Sequence, residues 1–177
     1  YAGSFQGYWN GHPDNDGTTE SVVRVFRPNL EANGSKDILA EFELFHDGIG
    51  YSDDYGDSIS LEYRESDDLL IAAARNPGIW FYDISDKSNP KLLDFLHRDE
   101  HGLGLIYDAK ISKLDPDYLL LSSSAGLARL DLSNTSDIKV KAIAKGTEHG
   151  GNKIALDNDG MHAFMSGGQD GFEVYKI

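Results

Sequence analysis

A sequence pattern recurs three times along the chain with a period of just under 50 residues, and it limits the folds that the chain can adopt. The three copies run over residues 57–85, 107–133 and 149–177. Each copy contains a short alternating segment, an acidic turn, an apolar segment, a glycine and a second alternating segment. Gly78, Gly126 and Gly171 mark the same step and lie 48 and 45 residues apart. A period of this length indicates a repeat architecture in which every copy is one supersecondary unit.

The copies consist of strands rather than helices. No segment of useful length has helical periodicity, and the alternating segments are separated by turn-forming residues. Residues 79–84 are apolar at nearly every position, as expected for a sheet that is buried on both faces. Leu69–Ala74 and residues 119–124 begin with large side chains and end with three small ones, which suits a strand near a crowded axis. These features predict an all-β fold, a β-propeller of four-stranded antiparallel blades.

The repeat predicts about 3.5 blades in this chain, because a degraded fourth copy at residues 21–27 precedes the other three. The expected blades span residues 1–46, 57–97, 106–144 and 149–177. The first blade is expected to begin at its second strand, and the fourth is expected to lack its outer strand. Since both would leave sheet edges exposed, we expect the chain to be part of a larger propeller or to pair with another chain. The alternative is a self-contained four-bladed ring in which residues 1–9 complete the fourth blade.

Composition restricts the partners of the chain. Thirty acidic residues against sixteen basic ones give a net charge of -14. Such a surface, without a cluster of Lys and Arg, repels phosphate backbones, so no nucleic-acid partner is expected. The longest apolar run, Leu69–Ala74, is too short to span a membrane. The absence of cysteine excludes disulfides, thiolate nucleophiles and zinc–thiolate sites.

Residues 78–92 (GIWFYDISDKSNPKL) resemble the LVIVD repeat, whose core reads approximately G-L-x-I-V-D-I-S-D-P-S-N-P-x-L. Residues 126–134 follow the pattern less closely, and Lys176 stands where the last copy would have the aspartate. The resemblance implies a β-propeller of the kind found mostly in bacterial surface and secreted proteins. An extracellular or cell-surface location is therefore expected. WD40-like propellers are the alternative, although the chain contains no WD dipeptide.

Asp83 and Asp131 close the third strand of their blades and are interpreted as scaffold residues. A short carboxylate at this place can accept hydrogen bonds from the amides of the following turn. Ser85 and Ser133, two residues further on, can support the same turn. We therefore expect these residues to be structural rather than catalytic.

Histidines in the connections between blades are the strongest candidates for chemistry. Glu100-His101 and Glu148-His149 are each followed by glycine and lie 48 residues apart, and His46 belongs to a variant of the motif. Imidazoles with neighbouring carboxylates on one rim could bind a divalent cation. If the blades are aligned by strand instead, the histidines occupy different places in their loops and need not converge. Chance or the chemistry of loop turns would then account for them.

Other candidate sites lie in turns and near the start of the chain. Asp14 and Asp16 superficially resemble a calcium-binding loop, but the further ligands and flanking helices of an EF-hand are absent. Residues 157–160 have the same letters, DNDG, and are interpreted as a hairpin turn. Tyr8 and Trp9 are flanked by glycines and are candidates for stacking on a sugar.

Two sequons bear on the compartment in which the protein works. Asn33 and Asn134 each begin an N-x-S/T sequence in an expected loop between strands. A glycan can be accommodated at such a place. The sequons therefore agree with a secreted glycoprotein.

Two functions agree with these features. The first is a non-enzymatic extracellular or cell-surface module that binds a protein partner, further copies of itself or the missing part of the same propeller. An enzyme is less favoured, because the chain has no G-x-S-x-G elbow, no cysteine and no glycine-rich phosphate loop before a helix. The second function is a propeller enzyme or metal-binding protein. Its His/carboxylate site would lie on the rim formed by the connections between blades, which carry His46, His101 and His149.

Overall fold

The computed structural model describes residues 22–28, 36–43, 59–75, 78–146, 153–167 and 171–177. For residues 22–28, 36–43 and 59 it describes the backbone alone. Every regular element in these ranges is a β-strand, which confirms the predicted all-β class. None of the described residues belongs to a helix that is long and apolar enough to cross a membrane.

The described strands form four antiparallel sheets, and in each sheet the strands follow chain order. The first sheet pairs β1 (Val22–Pro28) with β2 (Lys36–Glu43). The second sheet contains β3 (Ile59–Arg64), β4 (Leu69–Ala74), β5 (Gly78–Asp83) and β6 (Lys91–His97). The third sheet contains β7 (Ile106–Ile111), β8 (Tyr118–Ser123), β9 (Gly126–Asp131) and β10 (Lys139–Lys145). The fourth sheet contains β11 (Ile154–Leu156), β12 (His162–Ser166) and β13 (Phe172–Lys176).

The repeated glycine is required where the third strand of a sheet begins. Gly78 and Gly126 have φ angles of 143° and 120°, and Gly171, just before β13, has 89°. These values lie in a region that residues with a Cβ atom seldom adopt. A Cβ atom on Gly78 would lie 2.1 Å from the carbonyl oxygen of Leu96, and one on Gly126 equally close to that of Ala144. The glycine therefore permits close pairing with the fourth strand.

The apolar core lies between the sheets. Ile71 and Phe81 belong to a buried cluster that the second and third sheets share. Trp80 and Tyr82, on the opposite face of the second sheet, belong to another buried cluster. A third cluster, which includes Leu120, joins the third sheet to the fourth. Apolar residues occupy nearly every position of the inner strands because successive side chains enter buried clusters on the two opposite faces of a sheet.

The first strands of neighbouring sheets lie against each other, β3 against β7 and β7 against β11. Ser60 in β3, Asp108 in β7 and Lys153, just before β11, occupy the same repeat position, opposite equivalent residues of the second strands. The Ser60 hydroxyl donates to Asp108 Oδ1 at 2.6 Å, and the Ile154 amide donates to Oδ2 at 3.0 Å. Lys153 Nζ lies 3.8 Å from Asp108 Oδ1. One buried carboxylate thus joins three successive sheets.

At the ends of β3 and β7, a cationic side chain reaches the next sheet. Arg64, at the end of β3, donates to the carbonyl of Pro116 and the carboxylate of Asp117, both at 3.0 Å. Lys113, just after β7, donates to the carbonyl oxygen of Asp157 at 2.7 Å. The second sheet therefore contacts the third through the same kind of hydrogen bond that connects the third sheet to the fourth.

The scaffold role predicted for the aspartates at the ends of β5 and β9 agrees with their contacts. The Ser85 amide donates to Asp83 Oδ1 at 2.8 Å, and the Ser133 amide donates to Asp131 Oδ1 at 2.9 Å. These bonds, with those from the serine hydroxyls, lower the pKa of both carboxyl groups. Each carboxylate therefore holds the turn that leads into the outer strand.

Candidate functional site

The fourth sheet presents an apolar face to solvent. Phe172 and Val174 in β13 are 70% and 53% exposed, and Phe164 in β12 is 37% exposed. Phe164 pairs directly with Val174, so the two side chains adjoin on one face. The opposite face of the sheet is buried against the third sheet through Ala163 and Met165. We call the surface formed by Phe164, Phe172 and Val174 the open face.

The repeat shows how the same positions are used in the preceding sheets. Phe172 directly follows the repeated glycine, as Ile79 and Leu127 do. Ile79 is fully buried between the second and third sheets, and Leu127 is 7% exposed between the third and fourth. The open face thus carries residues of the kind that pack against a following sheet elsewhere in the chain.

A groove of about 230 Å³ lies between β13 and the outer half of the third sheet. We call it the edge groove; its walls include Leu127, Arg129, Ala142, Ala144, Tyr175 and Ile177. The Tyr175 hydroxyl donates to the carboxylate of Glu173, and burial together with that carboxylate raises the pKa of the phenol. The groove therefore has mostly apolar walls with cationic and phenolic groups among them.

The histidine rim is only partly within the described residues. Glu100 and His101 lie in an exposed turn between β6 and β7, in which the Leu103 amide donates to the Arg98 carbonyl at 2.9 Å. The other predicted rim residues, His46, Glu148 and His149, lie outside the described ranges. Convergence of the three histidines on a divalent cation therefore stays a prediction.

The remaining candidate site residues also lie partly inside and partly outside the described ranges. Asn134 is exposed in the loop between β9 and β10, where its side-chain oxygen accepts the Ser136 amide at 3.2 Å. An exposed loop asparagine is accessible to modification, and its use as a glycan acceptor stays a prediction. The positions that lie outside the described residues are Tyr8, Trp9, Asp14, Asp16 and Asn33.

A group of possible metal ligands that sequence reasoning missed lies at the hairpin between β11 and β12. Oxygen or nitrogen atoms of Asp157, Asp159 and His162 lie within 4.8 Å of one another. The amide and ring nitrogen of His162 contact the two Asp157 carboxylate oxygens at 3.0 and 2.7 Å, and Asp159 accepts the Met161 amide. Burial alone would raise the pKa of Asp157, but the hydrogen bonds from His162 lower it. These bonds hold the predicted hairpin turn together, and the signal for the group was the histidine two residues beyond the turn.

Comparisons with known proteins bear on the fold alone. Neither a family model nor a curated protein matches the chain. A similar solved structure is a chain of a humanized mutant of the Chaetomium thermophilum Polycomb Repressive Complex 2 bound to the inhibitor GSK126, with a TM-score of 0.57 and 16% sequence identity. The match covers 89% of this chain and 33% of that chain, so this chain spans about a third of its length. At this identity, the likeness concerns backbone architecture only.

Proposed function

We propose that the chain is a non-enzymatic interaction module on a β-propeller scaffold. Sheets of the same topology stack face to face, and their first strands lie against each other around the Asp108 contacts. This arrangement is the one expected when blades surround an axis. The resemblance of residues 78–92 to the LVIVD repeat supports a place at the cell surface or outside the cell.

The open face carries the proposal. Exposed apolar patches on soluble proteins mark interaction sites more often than scattered apolar residues do. The corresponding faces of the second and third sheets are covered by the next sheet, so an apolar sheet of the same kind is the partner that fits. A second copy of the chain supplies such a sheet. We propose that two copies associate through their open faces.

Sedimentation velocity of the full chain over a wide concentration range tests this proposal. The wild-type chain is expected to associate reversibly, because burial of apolar surface contributes about 25 cal/mol per Å². A variant with Phe172→Ser and Val174→Ser is expected to weaken association at least tenfold. Leu92→Ser, which changes an apolar residue of β6 that is 42% exposed, serves as the control and is expected to associate like the wild type.

Two results would overturn the proposal. One is a wild-type chain that stays monomeric up to its solubility limit. The other is association that Phe172→Ser and Val174→Ser leave unchanged. Since both substituted residues are more than half exposed, these variants are expected to keep the fold, which circular dichroism and thermal unfolding would verify.

A further inference from the structure

The hairpin between β11 and β12 brings three side chains with metal-binding atoms together. One carboxylate oxygen each of Asp157 and Asp159 and one ring nitrogen of His162 lie within 4.8 Å of one another. We call these three residues the hairpin group. Two ligand atoms of one zinc ion lie at most about 4.4 Å apart, since each bond measures about 2.0–2.2 Å. Small rotations of the three side chains therefore bring their atoms to the spacing of a metal site.

The backbone of the hairpin holds the three residues near one another. The Asp157 amide donates to the His162 carbonyl at 3.1 Å, and the Gly160 amide donates to the Asp157 carbonyl at 3.2 Å. Lys113 Nζ donates to the same Asp157 carbonyl at 2.7 Å, so the third sheet also supports the hairpin. Because these contacts use carbonyl oxygens, they occupy none of the carboxylate oxygens of the hairpin group.

The hairpins of the preceding sheets neutralise carboxylates with a cation of the protein. Arg64 lies between Asp67, at 2.7 Å, and Asp117, at 3.0 Å. Among the residues that the structure describes, no lysine or arginine forms an ion pair with the carboxylates of the hairpin group. The ion pair of this group joins Asp157 to its own His162. A divalent cation between the two carboxylates would supply the charge that Arg64 supplies in the preceding hairpins, and it would reduce their mutual repulsion.

The histidine determines which cations suit the hairpin group. His162 occupies the repeat position that Leu69 and Tyr118 hold in the preceding sheets, at the start of the second strand. Of these three positions, 162 is the one that places an imidazole beside an acidic hairpin. Imidazole nitrogen is a common ligand of zinc and similar transition metals, whereas calcium and magnesium take oxygen ligands. Two carboxylates and one imidazole therefore form a ligand set for a transition metal.

The hairpin group is accessible to an ion from solvent. Asp157 and His162 are half-buried, and Asp159 is exposed. His162 and Phe164 lie two residues apart in β12 and hence on the same face, so the group adjoins the open face. Three protein ligands leave at least one coordination position of a zinc ion for water.

We infer that the hairpin group binds a divalent transition metal ion such as zinc. Asp157 and Asp159 each supply a carboxylate oxygen, and His162 supplies a ring nitrogen. The inference goes beyond the proposed function, because one chain supplies all three ligands whether or not two copies associate. Since the ion binds the folded chain, it is expected to raise the melting temperature of the protein.

Isothermal titration calorimetry of the full chain, freed of metal with a chelator, tests the inference with zinc chloride as the probe. His162→Gln and Asp159→Asn are each expected to weaken zinc binding at least tenfold. Asp115→Asn, in the hairpin of the third sheet, is the matched control and is expected to bind zinc like the wild type. Asp115 and Asp159 each accept the amide two residues further on, so both substitutions keep the acceptor oxygen of a turn. Calcium chloride is expected to bind the wild type at least tenfold more weakly than zinc chloride.

The inference fails if the wild type binds no zinc at millimolar concentration, or if it binds calcium as tightly as zinc. It also fails if His101→Gln, in the predicted histidine rim, abolishes zinc binding while His162→Gln leaves it unchanged. Thermal unfolding gives a second measurement, since zinc is expected to raise the melting temperature of the wild type and of Asp115→Asn more than that of Asp159→Asn. Phe172→Ser is expected to leave zinc binding unchanged, so that loss of self-association and loss of zinc binding are separate results.

Discussion

Asp108 is the residue through which three sheets share one set of hydrogen bonds. Its carboxylate is 3% exposed and accepts the Ser60 hydroxyl and the amides of Ala109 and Ile154. Asp108→Ala leaves these buried donors without their acceptor, and each such loss costs about 1–3 kcal/mol. We expect the free energy of unfolding, measured by urea denaturation, to fall by about 3 kcal/mol or more.

Two further variants separate the hydrogen bonds of Asp108 from its charge. Asp108→Asn keeps the size of the side chain and one acceptor oxygen, so its loss of stability is expected to be smaller than that of Asp108→Ala. Asp99→Ala, at a carboxylate that is 66% exposed, is expected to change stability by less than ~0.5 kcal/mol. Equal losses at positions 99 and 108 would contradict a joining role for the buried carboxylate.

Asp131 makes the stability of the β9–β10 turn dependent on pH. The hydroxyl and amide of Ser133, with the ammonium of Lys141 at 3.0 Å, lower the pKa of Asp131 far below its ordinary value. Because the folded pKa is depressed, the stabilisation is fully present above the unfolded pKa of about 3.9 and is lost as the pH falls through the folded value. Asp131→Asn is therefore expected to lower the melting temperature at pH 7, with a difference from wild type that narrows steadily below about pH 4.

Thermal unfolding between pH 7 and pH 2 checks this dependence. Ser133→Ala removes the hydroxyl but keeps the amide, so it is expected to give a smaller loss at pH 7 with the same trend. A melting-temperature difference for Asp131→Asn that persists unchanged at pH 2 would show that the carboxylate acts through its shape rather than its charge.

At the scale of the strands, the repeated glycine sets the distance between the third and fourth strands of a sheet. An alanine at position 126 or 171 is strained by the positive φ angle, at a cost of about 1–3 kcal/mol. Of these two positions, Gly126 is the one at which the added Cβ atom also meets a carbonyl oxygen, that of Ala144. Gly126→Ala is therefore expected to lose ~1–3 kcal/mol more than Gly171→Ala in urea denaturation. Equal losses would mean that backbone strain alone explains the glycine.

The strands could be predicted from the sequence because the signals for them are local. The turn at residues 157–160 and the aspartate that ends β5 act through neighbours within a few residues. The contacts of Asp108 could not be predicted in the same way, since Ser60 and Ile154 lie more than 40 residues away and belong to other sheets. The edge groove was also missed, because it depends on the distance between two sheets and no residue pattern records that distance.

At the scale of the whole molecule, the stacking of the sheets decides how much a residue at a given repeat position contributes to stability. Phe81 and Val174 each lie three residues after the repeated glycine, and each pairs with a residue of the second strand. Phe81 is fully buried between two sheets, whereas Val174 is 53% exposed on the open face. Phe81→Ala is expected to lower the free energy of unfolding by about 3–5 kcal/mol. Val174→Ala is expected to cost less than ~0.5 kcal/mol in dilute protein.

A comparison of variants at Phe81 and Val174 also tests whether a second copy of the chain covers the open face. If a second copy covers Val174, its side chain becomes buried in the associated state alone, and association stabilises the folded protein by mass action. The melting temperature of the wild type is then expected to rise with protein concentration, and that of Val174→Ala to rise less. Phe81→Ala is expected to shift with concentration as the wild type does, because its interface lies within one chain. Parallel curves for wild type and Val174→Ala would place the association surface elsewhere on the molecule.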